Sequence, residues 1–206
     1  MEDQTIIHFV RHGNVHNPNK IYYGRLLGFP LSDSGKLQVN ATRDFFSKES
    51  IDAFYSSPQL RARETAQIII SSHDNKFVVV SDLLNEAYTP FDGCPKSLLD
   101  ERKWDVYTGV DPSYEQPSDV LSRGQRFISE IRKGHSGQQI VAVTHGDFIA
   151  FLVLWFKGIL CTPQNKQLIY DEKLAYASVT TLIFETKVDG KFIGMNYTAP
   201  FEERGK

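Results

Sequence analysis

Cysteine is scarce in this 206-residue chain. Cys94 and Cys161 are the whole complement, too few for a disulfide scaffold and without the paired spacing of a metal site. They read as reduced thiols, as expected of a cytoplasmic protein. An excess of one charge is also missing: 23 Lys and Arg face 25 Asp and Glu, a formal net charge of −2, with a pI near 6.3. That balance argues against a broad nucleic-acid surface or a polybasic membrane face, so any anion site must be local. Long apolar runs are absent as well. The longest, Phe148 to Phe156, is nine residues, about half of the ~18 that suggest a membrane span. The first four residues, Met1-Glu2-Asp3-Gln4, are acidic, whereas a secretory signal opens with positive charge. No repeat or low-complexity tract occurs. The expectation is a soluble protein with neither membrane nor nucleic acid as partner.

What is present suffices for a sizeable core in one domain, residues 1–206: 41% of the residues are hydrophobic and 12% aromatic. Ile6-Ile7-His8-Phe9-Val10 reads as a buried strand that stops abruptly at Arg11-His12-Gly13. An Asn-, Pro- and Gly-rich loop follows to Pro30. A helix then begins at Ser32 or Asp33, capped by either, with Leu37, Ala41 and Phe45 spaced for one inward face. A short strand at Ala53-Phe54-Tyr55 precedes a helix with Pro58 in its first turn and Ala62, Ala66, Ile69 and Ile70 inside. Phe77 to Val80 is β-branched enough for a third strand.

From Glu86 to Ser118 the pattern dissolves into aromatics, prolines and charges, with one short helix around 96–106. Irregular segments of this length often serve as lids. A helix from Ser118 or Asp119 is supported by Val120, Phe127, Ile128 and Ile131. Gln139 to Thr144 delivers a second strand ending in His-Gly, His145-Gly146, and then the apolar helix. That helix covers either the core or a subunit contact, which leaves a homodimer open. Val179 to Phe184 and Phe192 to Tyr197 read as a hairpin around Asp189-Gly190. The alternation implies an α/β three-layer sandwich with a mostly parallel central sheet, helices on both faces and an antiparallel edge hairpin. Both histidine-bearing strand ends then open onto one carboxyl edge, where such sheets place their ligands.

Four ordered elements carry a family resemblance: Val-Arg-His-Gly at 10–13, Tyr-Ser-Ser-Pro-Gln-Leu-Arg-Ala-Arg-Glu-Thr-Ala at 55–66, Leu-Asn-Glu at 84–86 and Val-Thr-His-Gly at 143–146. The chain resembles the histidine phosphatase superfamily, in its phosphoglycerate-mutase-like branch. The resemblance implies His12 as a nucleophile that forms a phosphohistidine, Arg11, Arg61 and His145 as a phosphate clamp, and Glu86 as the proton donor. It selects Arg61 over Arg63, which is left a structural role, as is Ser57. It implies no cofactor and no metal.

These residue types suit phosphoryl transfer, which depends on positioning and on neutralising charge over the equatorial oxygens. A guanidinium fork matches phosphate bidentately, and a neutral imidazole can be aimed by a bond to its other nitrogen. The sequence departs from the commoner family pattern just after His12. Asn14-Val15 replace an acidic-threonine pair, and Asn17 comes one position earlier than the family's phosphate-contacting asparagine. Asn17 remains the candidate, with His16 as the alternative. A metal held by His8, His12, His16 and His145 is disfavoured, because companion carboxylates at ligand spacing are missing.

Hydrolysis of a small phosphomonoester is favoured over mutase-type transfer. Only 59 positions separate Glu86 from His145, and Arg102-Lys103 is the sole adjacent basic pair in the lid-like segment 86–118. Tyr88, Phe91, Trp104 and Tyr107, with Tyr22, Tyr23, Leu26 and Phe29, offer a rim suited to an apolar or ring-shaped substrate body. The reading from another class is a non-catalytic phospho-ligand-binding module.

Overall fold

The computed structural model describes residues 4–186 and 190–203. Six strands form one sheet in the order β3-β2-β4-β1-β5-β6. They are β1 (Gln4–Arg11), β2 (Ala53–Ser56), β3 (Val78–Val80), β4 (Gln139–Thr144), β5 (Val179–Glu185) and β6 (Phe192–Thr198). β3, β2, β4 and β1 run parallel, and β5 and β6 add an antiparallel edge. The expected mostly parallel sheet with an edge hairpin is therefore present; Asp189 of its turn lies outside the described residues.

Strand periodicity divides the core in two. Ile7 and Phe9 of β1 and Ile140 and Ala142 of β4 face one apolar cluster. Val10, Val141 and Val143 face the other. The first cluster is covered by α4 (Pro117–Gly134), α5 (Gly146–Phe156) and α6 (Pro163–Lys173), the second by α1 (Asp33–Phe46) and α2 (Leu60–Ile70). In α5 the residues from Phe148 to Leu154 are all buried, so the apolar run serves this core. Among the described residues no helix is long and apolar enough to cross a membrane.

Three local expectations need correction. Ser32 does cap α1, its Oγ accepting from Gly35 N at 3.0 Å, and Ala41 is buried as expected, but the rest of the inward face is Val39, Thr42 and Phe46. Leu37 is 62% exposed, and Phe45 lies beside, not beneath, the buried Phe46. Pro58 stands ahead of α2, which starts at Leu60. α6 has no counterpart in the sequence expectation. The segment from Glu86 to Ser118 contains α3 (Lys96–Glu101) and anchors itself through Leu99, Val106 and Tyr107, which join the first cluster.

Candidate active site

The pairing of β1 with β4 places Arg11 opposite Thr144, so His12 and His145 leave the sheet side by side. His12 N donates to Thr144 O at 3.1 Å, and His12 O accepts from Ala177 N at 3.3 Å. The ring centroids of the two histidines are 5.3 Å apart. Gly13 is required by packing: a Cβ there would meet Val39 Cγ2 at 2.7 Å and Gly35 O at 2.8 Å. Asn14 and Val15 do not enter the site. Asn14 N donates to Gln38 Oε1 at 2.9 Å, and Val15 pairs with Leu31 in an isolated bridge, turning the loop against α1.

His12 Nδ1 lies 2.8 Å from Gly13 O. A carbonyl can only accept, so Nδ1 carries the hydrogen and Nε2 presents a lone pair. Arg61 approaches that lone pair with Nε at 3.2 Å. Its Nη2 donates to Gly24 O at 2.8 Å and lies 3.1 Å from His145 Nδ1 and 3.5 Å from Glu86 Oε2. His145 Nε2 is 2.7 Å from Ser57 Oγ, which gives Ser57 a direct part in orienting that ring. One fully buried arginine thus binds both histidines and the acid.

Burial and the neighbouring guanidinium charges of Arg61 and Arg11 lower the pKa of His12 well below the usual imidazole value. His145 is lowered in the same way, by burial and then by Arg61. Both shifts favour the neutral imidazole. Glu86 shifts upward because burial disfavours its anion more than the Arg61 charge favours it. Its Oε1 accepts from Ala87 N at 3.0 Å, while Oε2 lies 3.3 Å from His145 Nδ1.

Arg11 stacks on Tyr176 with Cζ 4.1 Å from the ring centroid, and Tyr170 lies beyond it at 5.3 Å. Its Nη1 donates to Leu174 O. Its Nε is buried with no hydrogen-bond partner among the described residues, a donor suited to an anion.

Arg11, His12 and Glu86 border a cavity of about 240 Å³ whose lining also includes Lys96, Trp104 and Tyr176; the fully buried Arg61 and His145 do not line it. Tyr22 and Tyr23 also line it, as the sequence suggests. Tyr107 does not stand at the rim: it is buried, and its OH donates to Asp147 Oδ2 at 2.7 Å. Tyr88 is 45% exposed and packs on Tyr114. Asn17 does not line the cavity, and its amide exchanges two hydrogen bonds with the Ile21 backbone at 2.7 and 3.2 Å. His16 and Arg63 are exposed.

One wall is missing from the sequence reading. α6 supplies Lys166, Gln167 and Tyr170 to the cavity. The buried Lys166 Nζ binds Asp147 Oδ2 at 2.9 Å and Trp104 O at 2.9 Å, and Tyr170 OH donates to Asp147 Oδ1 at 2.8 Å. Tyr170 comes so close to α5 that a Cβ on Gly146 would meet its OH at 2.0 Å. The polar cluster at 163–170 was the available signal, but its apolar stripe is too weak to show which face turns inward.

His12, Glu86 and His145 hold candidate ligand atoms within 4.8 Å of one another. The fork of Arg61 already binds all three. A divalent cation there would face a fixed positive charge at close range, which costs more as the site becomes drier. The donor set fits an anion better than a metal.

The fold is an α/β sandwich with two paired histidines at the carboxyl edge of its sheet. A model of the histidine phosphatase superfamily (branch 1) matches residues 7–190. The chain belongs to that superfamily. An uncharacterized protein of Mycobacterium tuberculosis, Rv0525, is 34% identical, covering 90% of this chain and 93% of its own. Phosphoserine phosphatase 1 of Hydrogenobacter thermophilus is 29% identical, covering 66% and 68% respectively. In structure the chain resembles the mycobacterial glucosyl-3-phosphoglycerate phosphatase Rv2419c, with a TM-score of 0.75, 20% identity, and coverage of 95% of this chain and 98% of that one.

Proposed function

We propose that this protein hydrolyses a small phosphomonoester through a phosphohistidine on His12, without a metal. The observation that carries the reading is the fixed tautomer of His12, whose unprotonated Nε2 points at the Arg61 fork. On binding, the phosphoryl oxygens take the donors of Arg61 and the unpartnered Nε of Arg11. Their charge favours protonation of His145 at Nδ1, which adds a third donor. His12 Nε2 attacks phosphorus, the P–O ester bond breaks, and the Glu86 carboxyl gives its proton to the departing oxygen. The Glu86 carboxylate then takes a proton from water, the resulting hydroxide attacks phosphorus, and the N–P bond breaks to release phosphate.

The segment 86–118 acts as a lid over this chemistry, since Trp104 and Val106 line the cavity from it. The aromatic walls formed by Tyr22, Trp104, Tyr170 and Tyr176 suit an organic body that is flat or apolar. Lys96 adds a cation at the same wall, in keeping with a phosphoserine phosphatase among the relatives.

The test is phosphate release from p-nitrophenyl phosphate and a panel of alkyl phosphates in EDTA, together with trapping of labelled enzyme. Wild type should turn over and yield an acid-labile, alkali-stable label, and His12→Ala should do neither. Turnover in His12→Ala, or none by wild type across the panel, would sink the proposal. Interconversion of phosphoglycerate isomers with little phosphate release would favour mutase-type transfer instead.

A further inference from the structure

The Glu86 carboxyl is held by few bonds of its own, one of them at hydrogen-bond distance to Ala87 N. Its backbone is held by many. The carbonyl of Glu86 accepts from Arg25 Nε at 2.8 Å, and Arg123 Nη2 lies 3.5 Å from it. Arg123 Nη1 also donates to Leu83 O at 2.8 Å and Asn85 O at 3.1 Å. Arg25 comes from the loop after β1, and Arg123 from the second turn of α4.

A single carboxylate gathers the two arginines. Glu115 Oε1 accepts from Arg123 Nε at 2.6 Å, and Oε2 from Arg25 Nη2 at 2.8 Å and Arg123 Nη2 at 3.1 Å. Oε2 also accepts from Tyr88 N at 2.8 Å, two residues past Glu86. Burial opposes ionisation of Glu115, but the bonds and charge of Arg123, with the Tyr88 amide and Arg25, hold its carboxyl below the usual range. None of the three side chains lines the cavity, and each is only partly exposed, 29% for Arg25 and 17% for the other two.

We propose that Arg25, Glu115 and Arg123 form a positioning brace that sets the Glu86 carboxyl at the leaving-group oxygen. This rests on the reading of Glu86 as proton donor. Three chain segments meet at one carbonyl, so loss of any member lets the Leu84–Tyr88 backbone shift. A shift of about 1 Å at a catalytic group is enough to cost on the order of 100-fold in rate. The clamp's side chains come from the strand ends and α2; because Arg61 also donates to Gly24 O, next to Arg25, Glu115→Gln is the cleaner variant.

Leaving-group dependence separates this role from a merely structural one. An alkoxide must be protonated as it departs, whereas p-nitrophenolate departs with little help. Glu86→Gln is expected to lower kcat/KM on an alkyl phosphate by about 100-fold or more, within the usual range for a general acid, with a far smaller loss on p-nitrophenyl phosphate. Glu115→Gln should show the same split, about 30-fold against less than about threefold, as expected for partial loss of the same proton transfer. Arg25→Gln, at the more exposed end of the brace, supplies a second variant with the same expected split should Glu115→Gln fold poorly. Equal losses on both substrates, or no loss on either, in a folded brace variant overturn the proposal. If Glu86→Gln itself shows no split, the acid assignment falls, and the brace proposal falls with it; a split in Glu86→Gln alone refutes only the brace.

Discussion

Arg61 donates its Nε–H to the Nε2 of His12 across 3.2 Å. The lone pair that should attack phosphorus is therefore occupied by the very residue that should bind the phosphoryl oxygens. Under the proposed mechanism, a bound phosphate would redirect the arginine's donors and release the nucleophile in the same movement. The dependence is on the fork, not on charge alone: Nη2 of the same side chain also reaches Gly24 O and His145 Nδ1.

Arg61→Lys should accordingly behave as a severe variant despite keeping its positive charge. A point ammonium cannot serve His12, His145 and the Gly24 carbonyl together. We expect a loss in kcat/KM of about 100-fold or more, in the range seen when a preorganised donor to a developing charge is removed. Steady-state kinetics on p-nitrophenyl phosphate measures it, and a loss under tenfold would contradict the fork's role.

The pH profile of the wild type follows from the two opposing shifts. His12 must be neutral, and its lowered pKa moves the acid limb below the ordinary imidazole value. Glu86 must be protonated, and its raised pKa moves the basic limb above the ordinary carboxyl value. kcat/KM should be bell-shaped with its optimum on the acidic side of neutrality. Glu86→Gln should flatten the basic limb and leave the acid limb in place. A basic limb that survives in that variant would assign it to another group.

Much of this arrangement is legible in the sequence, for a physical reason. A buried strand needs a run of apolar residues, and Arg11-His12 and His145 interrupt such runs where the chain leaves the sheet. The phase of α1 is less legible, because Leu37, Ala41 and Phe45 satisfy a helical period as well as Val39, Thr42 and Phe46 do. The α6 wall is least legible, its polar cluster giving no sign of which face turns inward. Lys166 and Tyr170 turn inward to satisfy Asp147, a reason that exists only once α5 and α6 are packed together. The same holds for Arg25 and Arg123, whose common target is the Glu86 carbonyl, and for Glu115, which accepts from both.

The Lys166–Asp147 pair makes a prediction for stability. Lys166→Met leaves a mostly buried carboxylate with the neutral hydroxyls of Tyr107 and Tyr170 but no lysine; removing one partner of such a pair typically costs up to about 3–5 kcal/mol. Adding Asp147→Asn should recover part of that loss. Urea denaturation of the wild type, both single variants and the double variant closes the cycle; a fully additive double variant would show that the two residues do not communicate.

His8 makes a separate prediction at the far side of the sheet. It is buried between Thr181 and Gln139, and burial lowers its pKa from 6.5 to about 4. The unfolded chain takes up the proton first as pH falls, so stability is full above about 6.5 and declines towards 4. The shift corresponds to about 3 kcal/mol. His8→Gln should be less stable than wild type at neutral pH and lose less between pH 7 and 4.5. Parallel slopes for the two proteins in that window, followed by urea midpoints, would remove His8 as the cause.

The histidine cluster of the site and the walls of the cavity come from different parts of the fold. His12, Ser57 and His145 stand on the ends of three neighbouring parallel strands, tied by the β1–β4 and β2–β4 registers. Tyr22, Tyr23, Lys96, Trp104, Lys166, Tyr170 and Tyr176 all stand on segments outside the sheet. The walls can therefore be rebuilt, by loop exchange or by drift, while the strand ends keep the reacting atoms in register. A change of substrate in this scaffold is a change of upholstery over an unaltered frame.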